Sequence, residues 1–146
     1  MLEAKSHRLD SDASQQIRMS TLPHTWLIDI DGTALRHNGH LPVADGCKPP
    51  YPADQILPGV YDFWLRIPPE DVIILMSARS HEEKNETLEV FNILGLIFDH
   101  AIFGLPTGER ILINDSKTSG LNTAVAMNVA RDAGLGHISI LFDENL

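Results

Sequence analysis

The sequence predicts an α/β fold, a three-layer domain with a mainly parallel sheet, from three observations. Short apolar runs at residues 25–30, 72–76 and 111–113 have the composition of strands that are covered on both faces. One amphipathic segment with helical spacing lies between the first and second runs, and another lies between the second and third. Each of the three runs ends in a small polar or acidic residue, which is typical of strand ends that form a ligand site in parallel sheets.

The composition is that of an ordinary globular protein, with 146 residues, a net charge of −9 and 43% hydrophobic residues. The acidic charge argues against a protein that binds a nucleic-acid backbone, because such proteins present a basic face. No apolar run approaches the roughly 20 residues that a membrane span needs, so no membrane partner is expected. The single cysteine, Cys47, excludes an internal disulfide and fits a cytoplasmic protein.

The elements follow in order along one predicted domain, residues 21–146, after a flexible tail at residues 1–20. Pro58 begins a short helix that ends before Pro68, and a second helix over residues 81–94 stops at Gly95. Residues 34–51 are rich in glycine and proline and are predicted to be a loop beside the site. Besides the three runs above, strands are predicted near residues 101–103, at 123–129 and at 137–142.

Two carboxylates mark the end of the first strand, in the stretch Asp29-Ile30-Asp31-Gly32-Thr33. Side chains two apart in a strand project to the same side, so Asp29 and Asp31 are expected to converge at its carboxyl end. Ser77 and Asp115 follow the other two apolar runs. Oxygen ligands without a histidine or cysteine cluster suit Mg²⁺, and a carboxylate can also act as a nucleophile toward phosphorus.

These residues resemble the motifs of the haloacid dehalogenase-like phosphatase superfamily. Asp29-Ile30-Asp31-Gly32-Thr33 is similar to motif I, Ser77 after its strand to motif II, and Asn114-Asp115 to motif IV, over roughly residues 24–142. The resemblance implies a Rossmann-like domain in which Asp29 is the nucleophile and Asp31 the general acid and base. It also implies Mg²⁺ held by Asp29, the backbone carbonyl of Asp31, and Asp115.

Phosphate binding is assigned on the same basis to the Ser77 hydroxyl and to the neighbouring backbone N–H groups of Ala78 and Gly32. The sequence departs from the family in two places. Leu105-Pro106 stands where members carry a motif III lysine, and Asn114 replaces one of the usual motif IV acids. The sequence offers four replacement cations, of which Lys117 is preferred for its place beside Asp115; the others are Lys84, Arg79 and Arg110.

The intervals between motifs are too short for the family's cap domains, so a capless phosphatase with an open site is expected. The predicted reaction is Mg²⁺-dependent hydrolysis of a small phosphorylated metabolite, with sugar phosphates as one candidate class. An open site also admits large substrates. Residues of a second copy in a homo-oligomer can also enclose such a site. Two alternatives remain open: a polynucleotide 3′-phosphatase, and a catalytically silent fold that is retained for binding.

Overall fold

Parallel strands dominate the computed structural model, which describes residues 15–37 and 55–146. A three-stranded sheet has the order β2-β3-β4, with β2 at Thr25–Asp29, β3 at Val72–Met76 and β4 at His100–Ile102. A two-stranded sheet pairs β1, Gln15–Met19, with β5, Ile138–Phe142. The parallel pairing and the intervening helices confirm the predicted α/β class within these residues.

Two helices supply the crossovers of the larger sheet. Helix α1, Val60–Arg66, lies between β2 and β3 along the chain, and α2, Lys84–Leu94, lies between β3 and β4. A single 3-10 turn, His81–Glu83, precedes α2, and Gly95 ends it with a φ of 72°, a left-handed conformation that glycine adopts without strain. The positions of both helices agree with the sequence prediction.

The core lies where the helices meet one face of the sheet. Trp26 of β2 packs edge-on against Phe63 of α1, with ring centroids 5.7 Å apart. Trp64 of α1 contacts Phe91 of α2 at 6.2 Å, and Phe91 is fully buried. Burial alternates along β2 because one face of the strand packs against the helices. Trp26 is buried, whereas its neighbour Leu27 is 43% exposed.

The predicted flexible tail is wrong for residues 15–20, because residues 15–19 form strand β1. Ile17 and Met19 are the more buried side chains of this strand, and five residues of β5 pair with it in register. The alternation is only five residues long, too short to distinguish from a polar tail by pattern alone. Residues 1–14 of that predicted tail, and most of the loop predicted over residues 34–51, lie outside the described residues.

The predicted strands at residues 111–113 and 123–129 are also wrong. Neither segment has a strand partner, and Ile111 and Ile113 are 83% and 91% exposed. Met127 and Val129 pack against the core from a segment that forms no strand. Apolar composition therefore identified residues that can pair in a sheet, while pairing itself depends on a free edge that the local sequence does not encode.

Within the described ranges, none of the helices is long and apolar enough to cross a lipid bilayer.

Candidate active site

The site begins where β2 ends beside β3. Asp29 is the register partner of Met76, and the N–H of Ile30 donates to the Met76 carbonyl at 3.1 Å. Asp29 and Ser77 are therefore brought to one edge of the sheet, as the sequence predicts. This edge is the carboxyl end of parallel strands, where ligands commonly bind in α/β proteins.

A tight turn after β2 fixes the direction of the chain beyond Asp29. The carbonyl of Ile30 accepts hydrogen bonds from three successive N–H groups, of which that of Leu35 is 2.9 Å away. Gly32 has a φ of +86°, a conformation that residues with a Cβ rarely adopt. Its N–H donates to the Leu35 carbonyl at 2.7 Å, so this turn already uses the group that the sequence predicts to bind phosphate.

Asp29 is held by one neutral and one charged donor. The Thr33 hydroxyl donates to its Oδ2 at 3.0 Å, and Nη1 of Arg110 donates to its Oδ1 at 2.6 Å. The side chains of Asp29 and Arg110 are 30% and 33% exposed, so this ion pair is accessible to solvent. An accessible pair can exchange its partner for an incoming anion or cation at little cost.

Asp31 is held by a more buried cation, Arg79. Nε of Arg79 lies 3.1 and 3.0 Å from the two carboxylate oxygens of Asp31, and Nη2 lies 2.7 Å from Oδ1. The Arg79 side chain is only 5% exposed. Its Nη1 donates to the Thr87 hydroxyl of α2 at 3.0 Å, so the guanidinium group is oriented from both sides.

Ser77 links the end of β3 to Arg79 and to β4. Its side chain is fully buried, and its hydroxyl accepts the backbone N–H of Arg79 at 3.0 Å. The N–H of Ser77 donates to the carbonyl of Ile102 at 2.9 Å, which ties the end of β3 to β4. The next residue, Ala78, is exposed, so the loop after Ser77 opens to solvent at this edge.

The other predicted site residues belong to a separate turn. Asn114 donates through Nδ2 to the Thr123 hydroxyl at 2.9 Å, and that hydroxyl in turn donates to the carbonyl of Asp115. The N–H of Lys117 donates to the carbonyl of Leu121 at 2.9 Å. These contacts close a turn over residues 114–123 and do not bring Asp115 or Lys117 to Asp29 or Asp31.

The donor set fits the implied Mg²⁺ only in part. Asp29 and the carbonyl of Asp31 supply the hard oxygens that Mg²⁺ prefers. Across residues 15–37 and 55–146, however, no three acidic, histidine or cysteine side chains form a group that could hold a metal ion. The residues present therefore fit the chemistry of Mg²⁺ at two positions, while the third predicted ligand, Asp115, lies in the separate turn.

A third arginine adjoins the turn after β2, and nothing in the sequence pattern indicates it. A Cβ placed on Gly32 would lie 3.2 Å from Cγ of Arg131. The next residue, Asp132, donates its N–H to the Gly32 carbonyl at 2.9 Å and accepts the N–H of His37 at 2.7 Å. Residues 131–132 thus buttress the turn from a distant part of the sequence.

The local charge of this edge differs from that of the whole chain. The guanidinium groups of Arg79 and Arg110 contact the acids, and Arg131 contacts the turn that carries them. Three acids, Asp29, Asp31 and Asp132, balance these three cations, so the edge is close to neutral in a chain of net charge −9. A small anion therefore meets less repulsion here than the net charge of the chain suggests.

Sequence reasoning identifies both acids and Ser77 but underestimates the residues that hold them. It places Arg110 below Lys117 because a strand over residues 111–113 would put Arg110 at the opposite sheet edge. It gives Thr33 no role, although a hydroxyl four residues after Asp29 across a tight turn can reach back to it. Comparison of the chain with protein families, with curated proteins and with solved structures found no match.

Proposed function

We propose that this chain is a phosphomonoesterase of the haloacid dehalogenase-like type that transfers a phosphoryl group through Asp29. The observation that carries the proposal is the placement of Asp29, Asp31 and Ser77 at one sheet edge, with guanidinium groups on both carboxylates. A nucleophile, an acid and base, and cations for the phosphoryl oxygens are the groups that this reaction requires.

The proposed reaction has two steps. An Asp29 oxygen attacks phosphorus, the ester P–O bond breaks, and the leaving alkoxide takes a proton from Asp31 and departs as the alcohol. A water molecule then attacks the aspartyl-phosphate and gives a proton to Asp31, which releases inorganic phosphate and restores the Asp29 carboxylate. The order requires Asp31 to be protonated when the ester binds and ionised when the water attacks.

The cation beside the nucleophile is proposed to be Arg110 rather than Lys117. Arg110 already contacts Asp29, and its pair is exposed enough for a phosphate to compete for the guanidinium. An arginine presents a planar fork that matches phosphate oxygens, so it can replace the lysine whose place Leu105 takes. In this proposal Arg110 moves from the nucleophile to the substrate as the substrate binds.

Mg²⁺ is proposed as the cofactor, held by Asp29, the carbonyl of Asp31, and Asp115. When bound, the ion would neutralise charge on the phosphoryl oxygens. Asp115 can join the other two only if the turn over residues 114–123 moves toward β2 when the ion binds.

Hydrolysis of p-nitrophenyl phosphate, with and without added Mg²⁺, tests the proposal in the wild type and in Asp29→Asn. We expect turnover that requires both Asp29 and the metal. Asp62→Asn is the matched control, because Asp62 is an exposed acid in the first turn of α1. Wild-type turnover no higher than that of Asp29→Asn, across a panel that includes sugar phosphates and a 3′-phosphorylated oligonucleotide, would favour a silent binding fold.

The panel also distinguishes the substrate classes. Small phosphate esters are expected to be the better substrates, because the chain's net charge of −9 opposes the approach of a polyanion. Higher kcat/KM for the oligonucleotide than for every small ester would favour the polynucleotide 3′-phosphatase instead.

A further inference from the structure

We infer that Arg79 is a positioning residue that fixes the Asp31 carboxylate for proton transfer, and that Thr87 orients Arg79. This inference rests on the proposed function. The sequence offers Arg79 only as one candidate for the missing phosphate-binding cation and assigns no role to Thr87, and both residues lie outside the acid pair itself.

The contact between Arg79 and Asp31, called the clamp below, has a specific geometry. Nε and Nη2 of Arg79 together make three contacts of 2.7 to 3.1 Å with the carboxylate of Asp31. A guanidinium fork that engages a carboxylate through two nitrogens fixes the plane of the carboxylate, which a single lysine ammonium cannot do. Asp31 is 25% exposed in its side chain, so one side remains open to a ligand while the other faces Arg79.

The clamp is anchored to parts of the fold that do not themselves react. The Thr87 hydroxyl accepts from Nη1 of Arg79 and donates to the carbonyl of Glu83 at 2.8 Å, and Thr87 is 1% exposed. The backbone of Arg79 is held at both ends, by the Ser77 hydroxyl and by the N–H of Gly104 at 2.7 Å. Arg79 therefore has little freedom to leave Asp31, in contrast to the exposed Arg110.

A positioning role predicts a pattern that a merely structural role does not. Proton donation by Asp31 matters most when the leaving group is a poor one, such as an alkoxide. Loss of Arg79 should therefore reduce kcat more for an alkyl phosphate than for p-nitrophenyl phosphate, whose leaving group is a stable anion.

The test is a double-mutant cycle with Arg79→Gln and Asp31→Asn, measured with glycerol phosphate and with p-nitrophenyl phosphate. We expect Arg79→Gln to lower kcat at least tenfold for glycerol phosphate in the wild-type background and less than twofold in the Asp31→Asn background. Arg79→Lys should restore only part of the loss. Arg18→Gln is the control, since Arg18 belongs to β1 of the separate two-stranded sheet and pairs with Asp143, the residue after β5.

Thr87→Val covers the case in which Arg79→Gln fails to fold. It keeps the shape of the side chain and removes the hydroxyl, so a smaller loss with the same dependence on leaving group is expected. An equal loss from Arg79→Gln in both backgrounds, or an equal loss for both esters, would overturn the clamp while leaving the phosphatase intact. Wild-type turnover that does not depend on Asp29 would instead overturn the proposed function, and the clamp with it.

Discussion

Nη1 of Arg110 lies 2.6 Å from Oδ1 of Asp29, so the proposed nucleophile is paired with a cation. The pair forms although the two residues are 81 positions apart in the sequence. It is also the more exposed of the two arginine–carboxylate pairs at this edge. The contrast divides the site into an exchangeable pair at Asp29 and a fixed pair at Asp31.

Replacing Arg110 should weaken phosphate binding. We expect Arg110→Gln to raise the inhibition constant of inorganic phosphate more than tenfold, which is about 1.4 kcal/mol of binding free energy. Lys117→Gln is the matched comparison and should change this constant less than twofold, because its backbone lies in the separate turn. The opposite ranking, measured by inhibition of p-nitrophenyl phosphate hydrolysis, would return the role to Lys117.

Replacing Ile113 tests whether residues 111–113 lie in solvent. The Ile113 side chain is 91% exposed, so Ile113→Asp should change the free energy of unfolding by no more than about 0.5 kcal/mol. A cost of more than about 2 kcal/mol would mean that Ile113 is buried in the folded protein.

Val125→Asp provides the control for that experiment, because Val125 is also exposed, at 60%. Both variants are compared by urea unfolding with and without Mg²⁺. Equal and negligible effects would mean that residues 111–113 remain in solvent.

Gly32 should not tolerate a side chain. Its φ of +86° is unfavourable for alanine, and the new Cβ would lie 3.2 Å from Cγ of Arg131. We expect Gly32→Ala to lower the free energy of unfolding by about 1–2 kcal/mol. Gly108→Ala is the control, since a Cβ added there would have no atom within 4 Å; equal unfolding midpoints for the two variants would contradict the argument.

Asp71 should stabilise the fold at neutral pH and lose that contribution in acid. Burial alone raises the pKa of Asp71, but hydrogen bonds from the Trp26 indole and from the backbone and ring of His24 bring it below its ordinary value. A carboxylate whose pKa is lower in the folded state stabilises the fold above its unfolded pKa. The contribution disappears as the pH falls below about 4 and the carboxylate is protonated in the native state.

Asp71→Asn should therefore cost about 1–3 kcal/mol at pH 7, because an amide has one oxygen to offer these three donors. The cost should shrink in unfolding experiments below about pH 4. A cost that is the same at both pH values would show that the charge of Asp71 does not contribute.

Much of the fold can be predicted from local sequence patterns. The apolar runs of β2 and β3, the amphipathic α2 and the stop at Gly95 follow from residue spacing and backbone preference. The acids and Ser77 are predicted together because the carboxyl ends of neighbouring parallel strands meet at one edge. These features depend on residues that are close in sequence or on a general rule of sheets.

The contacts that sequence reasoning misses depend on long-range pairing. Arg110 reaches Asp29 and Arg131 reaches Gly32 only because the chain after β4 returns to the turn that follows β2. Strand β1 exists only because β5 lies beside it, more than a hundred residues away. A short apolar run such as residues 111–113 reports the capacity to form a strand and not the presence of a partner.

The most direct test of the central claim is to trap the covalent intermediate on Asp29. The wild type is mixed with p-nitrophenyl phosphate and Mg²⁺ and then quenched in acid. The protein is digested, and the masses of its peptides are measured by mass spectrometry. We predict a phosphoryl adduct on the peptide that carries Asp29, stable in acid, sensitive to hydroxylamine, and absent from Asp29→Asn. Turnover by the wild type with no adduct on that peptide, or with an adduct that persists in Asp29→Asn, would contradict the account.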